Sequence, residues 1–243
     1  MMKGIFQIIA CTILFASVSA RADYAKGCDD PEYLQFMQTR YASFEAKNRR
    51  LLDETWQNYQ RSLASGDNAF QIISDLSQHL RYSAQFEPVS EVKAKIEKVF
   101  SHVDALSVNQ QIAGDVFDSF GSEKHAVGIA QAWLAYRQGE QQRAFEFLLK
   151  SIESGSSAVL NSFGPDFSFV RQLYRDGHTA PVITYINKTR QFWTGTRPDN
   201  LRYVWLQMIK AGCPVQFDFY DTIKVKELGL SVRDVNQREA ADY

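Results

Sequence analysis

Between Pro31 and Leu63 the chain carries no glycine and no further proline, and its apolar residues recur every three or four positions. Tyr33, Met37, Tyr41 and Phe44 keep that spacing. Leu52, Trp56, Tyr59 and Leu63 resume it after the polar run Lys47-Asn48-Arg49-Arg50. Side chains spaced in this way fall on one face of a helix, because a helical turn takes 3.6 residues. Asp29-Asp30-Pro31-Glu32 marks the start, with a capping aspartate, a proline whose missing N–H costs nothing in the first turn, and an acid near the positive helix end. The reading is one long helix, or two with a break near Asn48.

The same punctuation continues, and nothing alternates as a strand would. Ser65-Gly66-Asp67 makes a turn into a helix whose apolar face is Phe70, Ile73, Leu76 and Leu80. Glu87-Pro88 precedes a third, with Ser90 as its cap and Val92, Ile96, Val99, Val103 and Leu106 inward. A fourth is expected from about Val108 to Phe120, on Ile112, Val116 and Phe120. In the second half Ser122 is expected to cap a helix through Tyr136, and Gly139 turns it into another from Glu140 to Ser154. Gly164-Pro165-Asp166 opens a short helix ending at Gly177, and Thr179 caps one that runs to Trp193. Pro198 opens the last, closed by Gly212 and Pro214. Short turns between helices make antiparallel hairpins. The fold class is therefore all-α, as stacked hairpins in a single domain over 23–230. Residues 23–121 form an irregular half, 122–213 a more rhythmic one, and 231–243 a polar tail.

Residues 1–22 read as an export signal. Lys3 supplies the positive start, Ile5 to Val18 the apolar run, and Val18-Ser19-Ala20 and Ala20-Arg21-Ala22 small residues for cleavage after Ala20 or Ala22. The run falls short of the ~20 apolar residues a membrane helix needs. Ile8-Ile9-Ala10-Cys11 resembles the pattern before a lipid-modified cysteine, but cleavage there would leave Thr12 to Val18 as a greasy start to the mature chain. The expectation is a soluble periplasmic or secreted protein. Cleavage after Ala22 would lose Lys3 and Arg21 and turn 27 basic against 28 acidic residues into 25 against 28, which gives no electrostatic pull towards nucleic acid. Two cysteines then remain, Cys28 and Cys213, and an oxidising compartment favours a disulfide between them.

The hairpin 125–156 resembles a tetratricopeptide repeat. With Gly139 as the turn glycine, Ala132 and Ala144 fall at the small positions where the two helices cross, while Ala135 replaces the usual tyrosine and Ser156 the closing proline. A longer series is Phe163-Gly164-Pro165, Leu173, Gly177, Val182, Tyr185, Phe192-Trp193, Leu201, Trp205, Ile209 and Gly212. It resembles the C-terminal part of exported bacterial proteins described as tetratricopeptide-like. The resemblance implies a helical-repeat scaffold in a bacterial envelope and carries over no catalytic residue.

Chemistry-bearing motifs are sparse. His79, His102, His125 and His178 are too far apart in sequence for a helical metal pair, and no metal or other cofactor is expected. Ser90-Glu91-Val92-Lys93 fits Ser-x-x-Lys without that motif's companion elements. Glu153-Ser154 followed by Ser162-Phe163-Gly164 resembles the catalytic segment of exported transglycosylases, without their Gly-Leu-Met-Gln stretch. Glu153 is the alternative catalytic residue on that reading. Aromatics are plentiful, and Tyr185, Trp193 and Trp205, flanked by Arg190 and Arg197, are candidates for a partner groove. The expected function is non-catalytic binding of another envelope protein or peptide segment. A cell-wall hydrolase and an immunity protein against a periplasmic toxin are the alternatives.

Overall fold

The computed structural model describes residues 27–111, 120–153 and 157–230. Residues 1–26 with Cys11, the stretch carrying Ile112 and Val116, Ser154, Ser156 and the tail 231–243 lie outside the described residues. Those described form ten α-helices and no strand, so the chain is all-α. α1 is a single helix, Pro31–Ser65, with no break at Asn48. Asp30 accepts the Tyr33 N–H at 3.0 Å, and the helix stops at Gly66, whose φ of 66° suits a residue without a side chain.

α2 (Ala69–Phe86) packs against α1, against α3 (Val89–Gln111) and against α4 (Gly121–Arg137). α4 packs in turn on α5 (Gln141–Lys150), α6 (Ala158–Phe163) and α7 (Ser168–Arg175). α8 (Thr179–Lys188) lies against α5, α7 and α9 (Thr196–Lys210), and α10 (Asp221–Glu227) closes on α9. Ala132 and Ala144 are fully buried where α4 meets α5. Gly128 marks a second close approach: a Cβ there would lie 2.6 Å from that of Ser151.

Several expectations need correction. α3 runs through Val108, where the spacing predicts the start of a new helix, and α6 and α10 have no counterpart in the sequence reading. Ser90 and Ser122 sit inside their helices as second residues, and Thr179 begins α8 with His178 in the capping position. On α1, Thr55 and Ser62 are buried while Leu63 is exposed. Polar partners explain it. Ser62 donates to Asp75, and Thr55 donates to the Leu51 carbonyl at 2.6 Å while sitting 3.2 Å from His79 Nδ1. His79 Nε2 is 3.0 Å from Lys95 Nζ, and burial followed by the Lys95 charge pushes the imidazole down to about 4. It is neutral, with its proton on Nδ1.

Cys28 and Cys213 form a disulfide with Cα atoms 4.8 Å apart. The segment after Cys213 is held by side chains on four successive carbonyls. Tyr174 donates to Cys213 O at 2.8 Å, Tyr33 to Pro214 O, Tyr41 to Val215 O at 3.0 Å, and the Arg171 Nε to Gln216 O at 2.7 Å. A buried chain segment with no helix or strand of its own needs its polar groups satisfied in this way. Three phenols and a guanidinium from α1 and α7 do so here.

Candidate functional site

An open cleft of about 390 Å³ lies between α1 and α2 on one side and the α6–α7 turn, α9 and the segment after Cys213 on the other. Phe44, Lys47, Asn48 and Leu51 contribute one face of α1, at helical spacing. The polar run that interrupts the apolar pattern of α1 thus lies where the helix borders the cleft rather than the core. Arg81, Tyr82 and Gln85 contribute from α2. Asn48 donates to Gln85 at 3.0 Å, tying the two helices beneath the opening.

The floor is aromatic. Phe167 lies 4.6 Å from Trp205 and 6.1 Å from Trp193, ring centre to ring centre, and Phe217 lies 5.8 Å from Trp205. Gly164 lets the backbone approach Trp193: its φ is 81°, and a Cβ would lie 2.7 Å from the indole. Arg202 fixes the same tryptophan by donating to its carbonyl at 2.8 Å. Phe217 is the one non-glycine residue with positive φ among the described residues, at 58°. Such a conformation costs a bulky residue ~1–3 kcal/mol and persists only where the surroundings hold it. Here Asp221 accepts the flanking N–H groups of Gln216 at 3.1 Å and Asp218 at 3.2 Å. Burial raises the Asp221 carboxyl to about 7 despite those bonds. Phe163 and Phe219, which also line the cleft, stand 81% and 55% exposed.

Charge is arranged on this aromatic frame. Asp166 takes the Arg81 Nε at 2.7 Å and the Ser168 N–H at 2.6 Å. Burial works against its charge, yet the guanidinium and the Ser168 bond hold it well below the usual carboxylate range. Its own N–H donates to His125 Nε2 at 2.9 Å, while His125 Nδ1 lies 3.3 Å from Ser151 O. Burial pushes His125 down to about 4, so it stays neutral and links α4 to the α6–α7 turn. The unfolded chain takes up this proton near pH 6.5, and the folded chain refuses it until about 4. Stability from His125 is therefore full above pH 6.5 and is lost as pH falls towards 4, by about 3 kcal/mol. His79 titrates over the same window, so His125→Gln is expected to reduce, not abolish, the slope of the stability profile there in urea titrations at stepped pH. An unchanged slope would show that His125 is not responsible.

The cleft brings together three of the groove candidates, Trp193, Arg197 and Trp205. Tyr185 lies beneath it, fully buried and donating to the Asp166 carbonyl at 3.2 Å, so it offers no surface to a partner. Arg190 is exposed but does not line the cleft. Glu153 pairs with Lys188 and is 51% exposed. Sequence reasoning missed the α1 and α2 residues, and Phe163, Phe167, Arg171, Phe217 and Phe219, because nothing local says that positions 44–51 and 81–85 meet residues 162–219. The polar interruption at Lys47-Asn48 was the available signal.

No family model matches this chain, and neither a curated protein nor a solved structure does. No helix among the described residues is long and apolar enough to cross a membrane.

Proposed function

We propose that this chain is an exported, non-catalytic helical-repeat protein that holds a segment of another envelope protein in the cleft. The observation that carries the reading is the exposure of Phe163 and Phe219 at the cleft, next to an aromatic floor. Large apolar side chains left in water beside a concave aromatic surface mark interaction sites more than isolated exposed residues do. The export leg rests on residues 1–22 and agrees with a disulfide between Cys28 and Cys213. The repeat leg rests on the α4–α5 hairpin, with its small residues at the crossing. A periplasmic toxin held by an immunity protein would be one such partner.

The test is photo-cross-linking in the native host, with a benzophenone amino acid at position 163 and, as a control, at Arg190. The expected result is one product specific to position 163, identified by mass spectrometry. The purified partner should rebind the intact chain and fail to bind Phe163→Ser/Phe219→Ser. Equal products from both positions, or rebinding that ignores the double substitution, would overturn the proposal.

A further inference from the structure

We infer that the cleft selects a peptide segment that presents carboxylate groups beside large apolar side chains. This rests on the reading of the cleft as the binding site and adds the chemistry of its occupant. Both carboxylates lining the cleft already have cationic partners: Asp166 has Arg81, and Asp218 has Arg40 at 3.1 Å. Lys47, Arg171 and Arg197 line it too, and none of the three has a carboxylate partner among the described residues. The lining therefore keeps an uncompensated positive excess beside its rings.

Arg171 is the most informative of the three. Its Nε is committed to Gln216 O, and its guanidinium lies 4.1 Å over the Phe44 ring. The terminal nitrogens donate to nothing among the described residues. A stacked guanidinium with its outer N–H groups free is pre-oriented for a carboxylate, which accepts two parallel bonds from that planar fork. Burial lowers the Arg171 pKa although Asp166, Asp218 and Asp221 act on it from a distance, so a carboxylate in direct contact would still offset the cost of desolvating it. Lys47 and Arg197 are exposed and add longer-range attraction to the same sign of ligand. The exposed Phe163 and Phe219 rings supply apolar contact alongside. A basic segment would meet repulsion from three cations, and a purely apolar one would leave them unanswered.

The experiment uses fluorescence anisotropy on the full mature chain with labelled Gly-Phe-Glu-Phe-Glu-Gly, as free acid and as C-terminal amide. Peptides with Gln or Lys for Glu, and with Ser for Phe, are the comparators. The acidic amide is expected to bind at least about tenfold more tightly than the Gln peptide, and the preference should shrink as salt rises. Arg171→Met should reduce the preference more than Lys47→Ser or Arg197→Ser does. Because Arg171 also supports the segment after Cys213, Lys47→Ser and Arg197→Ser provide the independent check, and each should weaken binding by roughly threefold. Arg190→Ser should change nothing. Binding by the free acid alone would support carboxylate recognition and assign it to a chain end. Equal binding of Glu, Gln and Lys peptides, abolished by Phe163→Ser, would overturn the carboxylate inference and leave the cleft reading standing. Failure of every peptide to bind would overturn both.

Discussion

Arg81→Met is expected to destabilise the fold by about 3 kcal/mol, and by more than Asp166→Asn does. The two halves of the pair are not equivalent. Asp166 is buried, whereas the Arg81 side chain is 40% exposed. Removing the arginine leaves a carboxylate in the protein interior that has lost its contact cation and keeps the Ser168 N–H and the more distant charge of Arg171. Removing the carboxylate leaves a guanidinium that can turn towards water. The exposure of Arg81 also places the cost at the low end of the range for broken buried pairs. Urea unfolding of both variants at pH 7 measures the order, and a larger loss for Asp166→Asn would contradict it. The pair joins α2 to the α6–α7 turn, so the weaker variant should also lose tryptophan burial around Trp193.

The second large effect concerns Cys28 and Cys213. Their sequence separation is 185 residues, so the bond restricts nearly the whole unfolded domain. The chain-entropy ceiling for such a loop is about 5 kcal/mol, and native bonds in practice deliver about 2–4. Cys28→Ser/Cys213→Ser should therefore lower the melting temperature by roughly 10 °C. Helical content at 25 °C should stay nearly intact, because the four carbonyl contacts from α1 and α7 still hold the segment in place. Thiol labelling of denatured, unreduced protein should find neither cysteine. Labelling of both, or an unchanged melting temperature, would refute the account.

Helix existence was legible because it depends on spacing within one element. Tyr33, Met37, Tyr59, Ile73, Leu76 and Leu80 are buried where the 3.6-residue period put them. Caps were less so: Ser90, Ser122 and Thr179 are good capping residues, but Pro88, Phe120 and His178 occupy the positions before their helices. Local preference gave way there to the packing of each helix as a whole. Buried polar residues escaped notice for a related reason. Thr55 and Ser62 are tolerated inside because His79 and Asp75 reach them from α2, and a partner 13 or 24 positions away has no local signature. The Cys28–Cys213 pairing was legible because only two cysteines follow Cys11 in the sequence. The groove was half legible: the aromatic run from Trp193 to Trp205 announced itself, whereas the wall from α1 showed only as a gap in its apolar rhythm.

The Cys28–Cys213 bond also changes what damage to the chain means. A single backbone cut anywhere in the 185-residue span between the two cysteines leaves one covalent molecule, not two. A protease that nicks the α4–α5 turn at Gly139 would separate α1 from α10 along the chain while both stay tethered across the bond. Phe44 and Lys47 on α1 would remain neighbours of Phe217 and Phe219, with an enormous local concentration of one for the other. The nicked protein should run as two bands only after reduction, and the cleft should outlast the continuity of its backbone.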